Sequence, residues 1–199
     1  MKKLTLVLII ASLTLVCKGR EPAVSLDRIT WFGLDYSHVQ FIGHPSDFRD
    51  IPKIRDYYFN AWNYLVIAEK AKYDILGAFD AAEVVYALET AIDRSESRSM
   101  EGIVQIDSRG LGKEELADVL RSYIDPSEYG TGALFIMETL NKFEKNAVMW
   151  VAVFEISTGE IHHLKKYSGR SGGFGFRNYW ARPYYNVLSN LKNNPRKVY

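Results

Sequence analysis

The sequence predicts an α+β domain in which a mixed, largely antiparallel sheet of about five strands carries packed helices. Three observations point there. Ile54, Tyr58, Trp62, Leu65 and Ala68 recur at helical spacing. Strand-like runs at 133–140, 147–156 and 160–167 follow one another, with the turn Ser157-Thr158-Gly159 before the last. Phe176, Trp180, Tyr184, Leu188 and Leu191 again repeat at helical intervals. With 199 residues, 47% of them apolar and 25% charged, the chain has the composition of one globular domain and not of a disordered or low-complexity protein. A chain of this size buries about 70% of the surface it would expose unfolded, so it can build a core without metal or disulfide staples.

Residues 28–41, rich in β-branched and aromatic side chains, read as the first strand, closed by Gly43-His44-Pro45-Ser46. Asp50 with Pro52 starts the long helix, and Glu69, Lys70 and Lys72 mark its end. Residues 81–92 carry conflicting signals. Asp80 followed by Glu83 resembles a capping box, whereas Val84-Val85-Tyr86 favour a strand, which is the reading adopted. The polar, Gly-dotted stretch 94–112 reads as loop with a short strand at 103–106, and 112–123 as a helix with Leu116, Val119 and Leu120 on one side. Residues 148–156 are apolar on both faces apart from Glu155, as in a central strand. In the strand 160–167, His162 and His163 are adjacent, so alternation sends their imidazoles to opposite faces and they cannot chelate one ion together. Pro183 starts or kinks the last helix, and Asn194-Pro195 ends it.

The chain begins with a leader. Lys2 and Lys3 precede the run Leu4–Val16, whose polar members are Thr5, Ser12 and Thr14. Thirteen residues suit the apolar region of a signal peptide and fall short of the roughly eighteen needed to span a bilayer. The expected organisation is a signal peptide at 1–19, a tether at 20–27 and a single domain at 28–199. Cys17 stands where a bacterial lipobox places the cysteine that becomes acylated, which makes it the candidate lipid-attachment residue and gives the protein a membrane anchor. Thr14 and Val16, however, replace the usual Leu and Gly or Ala, and cleavage after Gly19 with loss of Cys17 is the competing reading. Cys17 is the sole cysteine, so an internal disulfide is ruled out. The expected location is periplasmic or anchored to the outer membrane.

Charge is balanced overall but not along the chain. Lys and Arg number 25 against 24 Asp and Glu, and loss of Lys2 and Lys3 leaves a net of −1, which argues against a dedicated nucleic-acid binder. After Glu160 no acid remains, while eight cations do, from Lys165 to Lys197, interleaved with Tyr167, Phe174, Phe176, Tyr179, Trp180, Tyr184 and Tyr185. Such a tail suits an anionic envelope or membrane surface, or else packs its aromatics into the core and turns its cations to water.

The hairpin Phe154-Glu155-Ile156-Ser157-Thr158-Gly159-Glu160-Ile161, with the lipoprotein-like leader and the strand-then-long-helix opening, resembles envelope lipoproteins of the CsgG and TolB N-terminal type. That resemblance implies a fold that assembles secretion pores or scaffolds envelope complexes without catalysis.

The segment 168–177 is the strongest candidate site. Gly172, Gly173 and Gly175 free backbone amides at the start of the last helix, and Arg170, Ser171 and Arg177 add donors and charge suited to a phosphate or carboxylate. The bland alternative is a strand-to-helix turn whose glycines adopt positive φ. Gly169 to Gly173 also spells G-x-S-x-G, but residues 172–199 contain no Asp, Glu or His to complete a triad. His38, His44, His162 and His163 match no metal motif, so no metal and no cofactor is expected. Asp35 could meet Glu138 or Glu155, and the cluster Asp35-Tyr36-Ser37-His38 is polar without a defined role. These observations favour an exported, non-catalytic binding or assembly module with an envelope protein or anionic envelope surface as partner and homo-oligomers allowed. The alternative is an enzyme acting on a phosphorylated or carboxylated small molecule at 168–177.

Overall fold

The structure, a computed structural model, describes residues 26–194, so the leader, Cys17 and the tether up to residue 25 lie outside the described residues. Seven strands form one sheet: β1 (Leu26–Asp35), β2 (Gln40–Ile42), β3 (Ala81–Tyr86), β4 (Val104–Gln105), β5 (Thr131–Asn141), β6 (Asn146–Glu155) and β7 (Ile161–Arg170). β1 runs parallel to β3 and β5, and β2 parallel to β4 and β5. β6 pairs antiparallel with β5 and β7.

This topology corrects the expected largely antiparallel sheet of about five strands: five of the seven strands are mutually parallel, and the fold is α/β-like. The reason is physical. The β5–β6–β7 meander is built by local turns, whose residues announce it. Parallel pairs such as Leu26 with Ala81 or Ile29 with Thr131 close over long stretches containing helices, and no local pattern encodes their direction.

The first strand is also divided. Asp35 Oδ1 accepts the Ser37 N–H at 2.7 Å and Val39 N donates to the Tyr36 carbonyl, so a local turn replaces the ladder between β1 and β2. Both pieces then pair along β5.

Helix α1 (Ile51–Lys53), a π-helical stretch at Ile54–Phe59 and α2 (Asn60–Ala68) make one continuous run, opened by Asp50, whose side chain accepts the Lys53 N–H. Helix α3 (Ile75–Phe79) was not signalled by periodicity, and Asp74 caps it through the Gly77 N–H. Helix α4 (Glu89–Glu96) overturns the strand expected as far as 92 and the loop expected from 94. Its Ser95 hydroxyl accepts the Tyr36 N–H and donates to the Ala91 carbonyl, a fully buried tertiary tie that local propensity does not contain. Helices α5 (Lys113–Arg121) and α6 (Gly175–Lys192) follow the expected positions, with Pro183 inside α6.

Two apolar layers flank the sheet. Trp31, Phe135, Met149 and Val151 pack with Phe59, Trp62, Trp180 and Tyr184 from the long helix and α6. On the other face Phe32, Leu134, Ile136 and Phe154 meet Leu116, Val119 and Leu120 of α5 and the following Tyr123. The register Ile42, Asn141, Asn146, Arg170 places the end of β7 at one pole of the sheet. Leu26 enters at the other pole, about 33 Å away at strand rise along the length of β5.

The β6–β7 ladder skips a residue between Ile161 and His163, so His162 falls in an irregularity, exposed to water. His163 is half-buried, with its Nε2 3.3 Å from the Tyr167 hydroxyl.

A candidate anion-binding cavity beside a buried polar collar

At the pole where β7 ends, the connection to α6 opens onto a cavity of about 580 Å³. Gly172, Gly173, Phe174 and Arg177 line one side; Asn178, Arg182 and Tyr185 extend the wall along α6; and Glu69, Lys72 and Tyr73 come from the segment after α2. α6 is held over β7 because residue 169 is glycine. A Cβ there would lie 2.4 Å from the Pro183 carbonyl oxygen and 2.6 Å from its Cα, so only hydrogen permits this approach. Trp62 Nε1 donates to the Arg177 carbonyl at 2.9 Å and ties the first turn of α6 to α2.

Of the six candidate residues, Gly172, Gly173 and Arg177 line the cavity, whereas Arg170, Ser171 and Gly175 do not. Arg170 ends β7 in register with Asn146, and its carbonyl accepts from Asn186 Nδ2. Ser171 is buried, with its N–H given to the Lys145 carbonyl. The Gly172 N–H goes to the Tyr179 carbonyl. One amide expected to cradle an anion, that of Gly172, is therefore committed to the backbone, and charged side chains take over that role. Positive φ is needed at Gly173 (111°) and Gly175 (78°), where the loop turns into the helix.

The cavity's charges come from two separate segments. Lys72 Nζ lies 3.1 Å from Glu69 Oε2, and Arg177 lies 4.0 Å from Glu69 Oε1. All three side chains are substantially exposed, so each contact contributes on the order of 0–1 kcal/mol. Arg182 has no acidic partner among the described residues. Tyr73 is 1% exposed, and its hydroxyl, which faces the Lys72 ammonium, has no acceptor for its own proton. Burial pushes its phenol up, so the group is protonated at neutral pH. Sequence reasoning missed Glu69, Lys72, Tyr73, Asn178, Arg182 and Tyr185 as a group because two distant segments supply them. The acid-free basic tail was their one visible trace.

The second polar region lies around the carboxyl end of β1. Asp35 is fully buried and accepts from Arg94 Nε at 2.8 Å, the Tyr123 hydroxyl at 2.7 Å and the Ser37 N–H at 2.7 Å. Burial drives the Tyr123 phenol far up, keeping it a donor to this carboxylate. Arg94 also reaches the hydroxyls of Ser122 and Ser37, and Arg98 holds the carbonyls of Ser37 and Val39. Glu138 has its own donors: Leu111 N–H at 3.1 Å, Trp150 Nε1 at 2.8 Å and Lys166 Nζ at 2.9 Å. Glu155 is elsewhere, accepting from Gly130 N–H and the Ser157 hydroxyl at the far turn. His38 lies 3.8 Å from Glu115, whose carboxyl is held at about 2, well below the ordinary 4.5, chiefly by the Arg109 guanidinium and the Gly112 N–H.

With three fixed donors each, Asp35 and Glu138 act as structural acceptors. Among the described residues no group of three or more His, Cys, Asp or Glu side chains is placed to hold a metal ion.

The basic tail divides between the two alternatives. Trp180 and Tyr184 are core residues, and Lys166 and Lys192 pair with Glu138 and Asp74, but Phe174 is 96% exposed at the cavity rim. Comparison with protein-family models, curated proteins and solved structures finds no match to this chain, so the chemistry of the site rests on its own geometry.

Proposed function

We propose that the protein is an exported envelope protein that works as a non-catalytic binding or assembly module, presenting the cavity at the α6 pole to an anionic group of its partner. The carrying observation is that Lys72, Arg177 and Arg182, from two segments far apart in the chain, line one cavity with Gly172 and Gly173. Cations gathered from separate segments form a concave positive surface that lowers the cost of bringing in an anion. The loop that forms one side of the cavity follows β7, whose end lies at the pole of the sheet opposite Leu26. The enzymatic alternative would have to draw its nucleophile or base from Lys72, Glu69 and Tyr73, since the lining side chains include no histidine, cysteine, serine or threonine.

Titration with citrate and inorganic phosphate should give saturable binding without turnover, weakened about tenfold by Arg177→Ala, the effect of losing one charge-assisted contact. Absence of binding, or hydrolysis of a phosphate ester that Arg177→Ala abolishes, would overturn the proposal. Export has its own check. With lipidation, Cys17→Ala moves the protein from the membrane fraction to the soluble fraction outside the cytosol; without it, the two forms fractionate alike outside the cytosol. Intact Met1 on cytosolic protein would contradict export altogether.

A further inference from the structure

We propose that the cavity at the α6 pole is a phosphomonoester site in which the Glu69 carboxylate holds the place of the phosphoryl group; this rests on reading the cavity as the contact surface. Glu69 faces Lys72 at 3.1 Å and Arg177 at 4.0 Å and is the one acid among the lining residues. Three cations against one carboxylate leave two positive charges unmatched. A phosphoryl group carrying close to two negative charges fits that excess, whereas a carboxylate or sulfate monoester leaves half of it uncompensated. Because the Glu69 contacts are solvent-exposed, a dianion displaces them at little cost.

Tyr73 distinguishes phosphate from carboxylate. It lines the cavity with a buried hydroxyl whose proton has no acceptor, the nearby Lys72 being a donor with its Nζ 4.8 Å from the ring centroid. A carboxylate has two oxygens, and in Glu69 both face the cations. A phosphoryl group presents three acceptor oxygens, enough for Lys72, Arg177 and the Tyr73 hydroxyl together. Burying a hydroxyl proton with no acceptor is costly, so such a group in a cavity wall offers a donor to a ligand oxygen. At the rim, Phe174 is 96% exposed and Tyr185 lines the same wall, which provides aromatic contact for the organic part of the ester. The ligand class is thus a phosphomonoester on an aromatic or apolar carrier, either a soluble molecule or a lipid of the phosphatidate type.

The test is calorimetric titration of the full domain at pH 8 with phenyl phosphate, phenyl sulfate and benzoate. Phenyl phosphate should bind at least about tenfold more tightly than the two monoanions. Glu69→Gln should tighten phenyl phosphate binding severalfold by removing the internal competitor. Tyr73→Phe should weaken phenyl phosphate severalfold while leaving benzoate unchanged, a difference that general loosening of the fold would not produce. Sedimentation with phosphatidate vesicles that Arg177→Ala abolishes assigns the lipid source, and its absence beside phenyl phosphate binding assigns the soluble one. Equal affinity for all three ligands, still dependent on Arg177, overturns the phosphomonoester assignment and leaves the anionic contact surface standing. No binding of any of them removes both. Weaker phenyl phosphate binding by Glu69→Gln also overturns the displacement scheme.

Discussion

Replacing Asp35 with alanine is expected to lower stability by about 3–5 kcal/mol, the cost of breaking a buried ion pair by removing one partner. The carboxylate is fully buried and takes three donors, from Arg94, Tyr123 and the Ser37 backbone. Without it, the Tyr123 hydroxyl loses its acceptor, and the turn that separates β1 from β2 loses its anchor. Urea denaturation reads the effect as a lower midpoint at unchanged slope. This result also separates the structural role from a catalytic one. A catalytic acid is commonly a strained, destabilising group whose removal leaves stability unchanged or raises it. An Asp35→Ala protein as stable as its parent would therefore return this carboxylate to the list of reactive groups.

Gly169→Ala should be the most damaging single-methyl change at the α6 pole. The new Cβ would sit 2.4 Å from the Pro183 carbonyl oxygen, an atom that moves only with the helix backbone. Overpacking of this kind costs about 1–3 kcal/mol. The displaced helix carries Arg177 and Arg182, so anion binding should fall along with stability. Gly172→Ala is the matched control for stability, because a Cβ at 172 meets nothing within 4 Å and its φ is not in the left-handed region. If both variants melt at the parent temperature, α6 does not rest on β7 as described.

Much of this architecture was legible in local chemistry. The β5–β6–β7 meander follows from three strand-like runs in succession and a Thr-Gly turn before the last, with Gly159 at φ 74°. The long helix follows from Asp50, Pro52 and a 3.6-residue apolar spacing. Strand direction was not legible, because a parallel ladder between Leu26 and Ala81 leaves no mark on either segment beyond its hydrophobicity. One trace was present: Trp31 and Phe32 are both buried, in opposite layers, as in a strand covered on both faces. Helix α4 escaped because Val84-Val85-Tyr86 end β3 just before it and Ser95 acts through a tertiary bond to Tyr36.

The site divides in the same way. Gly172, Gly173 and Arg177 stood out because glycines beside arginines before a helix are unusual. Glu69 and Lys72 looked like the polar end of a helix, Tyr73 carried no mark at all, and only folding brings the three against α6. The anion-cradling amide was misjudged at Gly172, since sequence cannot show that the Tyr179 carbonyl already accepts from it.

Amide chemical shifts of the isotopically labelled domain, followed while inorganic phosphate is added, probe the cavity most directly. The expected perturbations saturate and cluster at residues 69–73 and 172–185, fading toward the opposite pole around Leu26 and Thr131. Shifts scattered over the surface, or centred on Asp35 and Glu138, would contradict an anion site at the α6 pole.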